Sequence, residues 1–134
     1  MQFKTIFSVA LLSLALSSSA VFAHHEGSPV EDLLTQTQRL SQAVSNSWLS
    51  YRVKSTVYAF VNEVTHLDGC VDSNPSPRPI SRHHDEEISA FCLPQLSRVR
   101  QAFDGVNYYL YDAYDVPNVY QAYQGVRQAL YGLH

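Results

Sequence analysis

The sequence predicts an all-α fold: a small antiparallel bundle of three or four helices, closed by one disulfide. Three observations carry that expectation. Apolar residues recur at spacings of three and four through almost every segment after residue 28, the period of one helical face. Proline-rich and Asn/Asp-rich stretches fall between those runs. No run alternates apolar and polar residues as a half-buried strand would.

The first 23 residues stand apart from the rest. Lys4 supplies a positive charge, Thr5 to Leu16 is almost entirely apolar, and Val21-Phe22-Ala23 closes the segment with small residues at the −3 and −1 positions. That order reads as a cleaved secretory signal peptide over residues 1–23. Its apolar run is short of the ~20 residues that a membrane span needs. The expectation is an exported protein, periplasmic or extracellular, working as residues 24–134 in a single domain without membrane insertion.

The first helix starts at Ser28. Its hydroxyl can cap, Pro29 presets φ, and Glu31 and Asp32 sit at the positive end of the helix dipole. Leu33, Thr37, Leu40 and Val44 form its inward stripe. A second stripe, Leu49, Val53, Val57, Phe60, Val64 and Leu67, is out of phase with the first by about two residues. The change falls at Ser45-Asn46-Ser47, three weak helix formers, so the chain is expected to break there and begin a second helix. Trp48, Tyr51, Tyr58 and Val61 widen the apolar face of that second helix. This predicts the most buried helix of the domain, ending at Asp68-Gly69. A homodimer partner could cover the same face.

Residues 70–82 carry Pro75, Pro77 and Pro79 and read as a loop, with a helix starting near His83 to Glu87 and interrupted or restarted at Pro94. Leu96, Val99, Phe103, Val106, Leu110 and Ala113 then give the cleanest stripe in the chain. Asp115-Val116-Pro117-Asn118 makes a turn. The last helix turns Val119, Tyr123, Val126, Leu130 and Leu133 inward.

Composition narrows the function. Without Lys4, eight Lys and Arg face twelve Asp and Glu, a formal charge of −4 with no basic cluster, which argues against nucleic acid as a partner. Cys70 and Cys92 are the only cysteines, and an even pair in an exported chain predicts a disulfide. There is no Gly-x-Ser-x-Gly elbow and no His-Glu-x-x-His helix, and His84-Asp85 is a lone pair without the elements of a hydrolase, so an enzyme is not expected.

Two sets of residues remain as candidate sites. Seven of the nine tyrosines lie between Tyr108 and Tyr131. Tyr108 and Tyr111 fall on the outer face of their helix, Tyr109 and Tyr114 beside the core, Tyr120 on a flank, and Tyr131 outward. Tyrosine offers rigid area with a polar tip, the chemistry favoured at protein interfaces. Tyr108, Tyr111, Tyr120, Tyr131 and Arg127 are therefore the expected binding patch for a protein partner, with Arg98 and Arg100 as further polar anchors. No cofactor is required by that reading. The alternative is a copper- or zinc-binding protein using His24 and His25 at the processed terminus with His83 and His84 in the loop, because imidazole and a terminal amine suit such ions.

Overall fold

The computed structural model describes residues 28–74 and 88–133. They form four α-helices, α1 (Pro29–Ser45), α2 (Tyr51–Ser73), α3 (Leu93–Leu110) and α4 (Pro117–Tyr131), with a 3-10 turn over Ala90–Cys92. No described residue lies in a strand. The all-α bundle is thus a four-helix one. The signal segment 1–23, most of the proline loop and the His83 to Glu87 helix start lie outside the described residues.

Local chemistry starts each helix. The Ser28 hydroxyl accepts the Glu31 N–H at 3.4 Å, and Pro29 takes the first helical position. The break after Ser45 is present: Ser47 Oγ donates to the Val44 carbonyl at 2.7 Å and accepts from the Leu49 N–H at 3.2 Å. Those bonds hold the reversal, and Ser50 then caps α2 by accepting from the Val53 N–H. Pro94 lies in the first turn of α3, so it starts that helix and interrupts nothing. Pro117 does the same for α4.

Two expectations for α2 are corrected. The helix does not end at Gly69 but runs through Cys70 to Ser73, so the loop begins later than residue 70. Gly69 does not adopt the left-handed conformation that would close a helix. The end is instead made by Asn74, whose backbone N–H and Nδ2 both donate to the Cys70 carbonyl. Nor is this segment buried on several faces. Val53, Val57, Phe60, Val64 and Leu67 face the core, while Trp48 and Tyr51 are 73% and 83% exposed. A helix in a four-membered bundle has neighbours on one side only, and the amphipathic rings take the wet side.

The helices run up and down in turn. On α2 and α3, Gln95 Nε2 donates to the Glu63 carbonyl at 3.0 Å, and a Cβ at Gly105 would stand 3.2 Å from Thr56 Cγ2. Residue numbers rise on one helix as they fall on the other, which is antiparallel packing. Arg100 to the Leu133 carbonyl and Tyr123 to Asn107 Oδ1 fix the same sense for α3 and α4. Glycine permits the close approaches. Gly105 lets α3 approach α2, and Gly125 lets Gln36 of α1 lie across α4, where a Cβ would meet its Oε1 at 2.6 Å. The α3–α4 seam is filled instead by large rings, with Phe103 and Tyr123 stacked at 6.0 Å.

Each predicted inward residue of α1, α3 and α4 is buried. The disulfide joins Cys70, in the last turns of α2, to Cys92 in the 3-10 turn ahead of α3, with Cα atoms 5.9 Å apart. It ties the two ends of the longest connection, where loop closure in the unfolded chain is worth about 3 kcal/mol in the chain-entropy account.

Candidate functional site

In an up-down-up-down bundle, the α1–α2 and α3–α4 connections lie at the same end. The α3 stripe ends on Leu110, so Tyr108, two residues after buried Val106, is turned about 200° from the core. Tyr111 leaves the helix, and Tyr114 follows buried Ala113. Tyr51 stands two residues before buried Val53, and Trp48 lies in the α1–α2 reversal. All five are exposed: Trp48 and Tyr51 as above, Tyr108 73%, Tyr111 56% and Tyr114 67%. Tyr58, two turns further along α2, is 39% exposed and shares a 2.6 Å hydrogen bond between its hydroxyl and that of Ser45. The Thr56–Gly105 contact sets Tyr51 level with the end of α3, so Tyr51 and Tyr111 share a tier on neighbouring helices.

This aromatic end is anchored through rings to the core. Tyr114 lies 4.8 Å from Tyr120, Tyr120 lies 5.9 Å from Tyr123, and Tyr123 stacks on Phe103, which meets Phe60 at 5.6 Å. Tyr108 and Tyr109 pack edge to face at 5.2 Å. Gln124 Nε2 donates to the Tyr120 hydroxyl at 2.6 Å. The Tyr108 and Tyr114 rings are therefore held by ring neighbours, which lowers the entropy lost when a surface is laid on them.

The neighbouring Tyr120 phenol pushes Tyr114 above the ordinary tyrosine range, chiefly by charge repulsion. Burial pushes Tyr123 up. Tyr114 thus offers a ring face and an O–H group rather than a phenolate. Arg52 and Lys54 on the first turn of α2, and Asp112 and Asp115 in the α3–α4 corner, surround it, and none of the four makes an ion pair with a described residue.

The structure divides the sequence-predicted patch. Tyr108, Tyr111 and Tyr120 lie at the aromatic end. Arg127 and Tyr131 lie at the opposite end of α4, with the Arg127 guanidinium 5.3 Å from the centre of the Tyr131 ring and Nε donating to its hydroxyl at 3.2 Å. Arg98 and Arg100 belong to that far half too, and Arg100 Nη2 is engaged at 2.8 Å by the Leu133 carbonyl. Trp48 and Tyr51 escape sequence reasoning because the pattern puts them on a buried face, and Tyr114 because it puts that ring beside the core. The available signal was their position off the 3-4 stripe.

His24, His25, His83 and His84 lie outside the described residues. Among the described residues no group of His, Cys, Asp or Glu could hold a metal ion. A groove of about 470 Å³ between α1 and α4 is lined by Gln36, Arg39, Gln42, Asn46, Asn118 and Gln121, with no acid or histidine to act as a base. No described helix is long and apolar enough to cross a membrane. Comparison with protein-family models, curated proteins and solved structures finds no match to this chain.

Proposed function

We propose that this protein is an exported, non-catalytic binding module whose aromatic end docks on a protein partner. The observation that carries the reading is the presence of Trp48, Tyr51, Tyr108, Tyr111 and Tyr114, all exposed, at one end of the bundle, against Phe91, Leu93 and Tyr131 exposed at the other. Exposed rings clustered at one site mark interaction surfaces more often than scattered ones do. Their burial against a complementary face would supply the affinity. The signal-like segment and the disulfide support export, since such bonds persist in oxidising compartments.

The test compares the immobilised protein with Tyr108→Ala and Tyr111→Ala in capturing proteins from the exported fraction of the producing cells. Both side chains are exposed, so each variant should melt within about 2 °C of the parent, a shift equivalent to ~0.5 kcal/mol. Capture should fall at least tenfold. Unchanged capture, or a melting temperature lowered by 8 °C or more, refutes the reading.

A further inference from the structure

We propose that the aromatic end is the interface of a two-fold homodimer, in which the α2 start of one copy packs against the α3–α4 corner of the other. This rests on the reading of that end as the binding surface and names its partner as a second copy of the chain. Area and charge carry it.

At roughly 200 Å² per residue, the exposed fractions of Trp48, Tyr51, Tyr108, Tyr111 and Tyr114 amount to about 700 Å² of surface distributed around this end of the bundle. A stable interface buries about 800 Å² on each partner, so these residues can supply a large part of that area, with the flanking charged side chains adding the rest.

The charges decide which partner fits. The cations at this end, Arg52 and Lys54, stand on α2, and the anions Asp112 and Asp115 stand on the corner that follows the neighbouring helix. All four are without an ion-pair partner among the described residues. A surface with opposite charges on its two halves is complementary to itself after a two-fold rotation, which lays the exposed Arg52 of each copy on Asp112 and Asp115 of the other. The same mixed charge disfavours the anionic lipid surface that an aromatic tip could otherwise join, because both aspartates would be pressed against like charge.

Sedimentation equilibrium of the oxidised protein, with residues 24–134 as its chain, tests the proposal. A dimer is expected, with Tyr51→Ala or Tyr111→Ala each raising its dissociation constant tenfold or more. R52E and the double variant D112K/D115K should each be monomeric at concentrations where the parent is dimeric, and each should melt as the parent monomer does. Mixed in equal amounts, the two should form a dimer, because each copy's altered half then meets an opposite charge. A parent that stays monomeric at 1 mM overturns the proposal, as does a dimer indifferent to these changes or a mixture that fails to associate. Where the parent is monomeric yet Tyr111→Ala still lowers capture of another protein, the second-copy assignment falls and the binding reading stands. Where it is monomeric and Tyr111→Ala leaves capture unchanged, both fall.

Discussion

Replacing Thr37 with valine should stabilise this protein. Thr37 occupies the centre of the α1 stripe, is fully buried, and its Oγ1 has no hydrogen-bond partner among the described residues. A hydroxyl taken from water into an apolar core without a partner costs about 1–3 kcal/mol, and the native protein bears that cost. Valine keeps the branched Cβ and has nearly the same helix propensity, so backbone and rotamer preferences change little. The expected gain is about 1–2 kcal/mol. For a domain of this size, that raises the melting temperature by roughly 4–8 °C. Thr37→Ser supplies the opposite control, since it keeps the unpaired hydroxyl and deletes a buried methyl at a cost of about 1 kcal/mol. Thermal unfolding followed by circular dichroism at 222 nm, with urea titration for the free energy, should rank the variants Val, Thr, Ser. A valine variant less stable than the parent would show that the hydroxyl is satisfied in the folded state, and would refute the reasoning.

Three further outcomes are expected. Gly69→Ala adds a methyl to open space inside α2 and should gain about 0.5–1 kcal/mol from helix propensity. Gly105→Ala should lose that gain, because its Cβ meets a Thr56 methyl whose hydroxyl is held by the Arg52 carbonyl; urea midpoints compare the two. Tyr123→Phe removes the donor to Asn107 and should cost about 1 kcal/mol at neutral pH. Burial raises the folded Tyr123 phenol above its unfolded value of about 10, so the unfolded chain loses its proton first. Parent stability is therefore intact below pH ~10 and falls above it. The Phe variant lacks that decline, and melting curves from pH 8 to 11 should show its deficit shrinking. Finally, Cys70→Ala with Cys92→Ala should lower stability by about 3 kcal/mol, and reductant should lower the parent's melting temperature while leaving the variant's unmoved.

Much of the fold was legible because it is written in short-range chemistry. The Ser28-Pro29 start, the Ser45 to Ser47 break and the stripes of α1, α3 and α4 each depend on a few adjacent residues and one helical period. The end of α2 was misread because Gly69 looks like a stop signal, whereas Asn74 closes the helix from further along. The candidate site was half legible. Tyr108 and Tyr111 sit off their stripe and are exposed as expected. The pattern puts Tyr51 and Trp48 on a buried face because two apolar faces on one helix look like deep burial when its neighbours are unknown.

The sequence by itself determined where the helices begin, which side chains turn inward and which cysteines can pair. Caps, proline φ angles and the 3.6-residue period act over one or two turns, and the cysteines offer a single pairing. Only the tertiary structure decided that the α1–α2 reversal and the α3–α4 corner share one end. It also separated Arg127 and Tyr131 from Tyr108 and Tyr111 by most of the length of α4, about 20 Å. Which off-stripe rings face water, and which of them meet, depends on the number of neighbouring helices and on their register. Those are set by contacts between residues far apart in the chain, such as Thr56 with Gly105 and Tyr123 with Asn107.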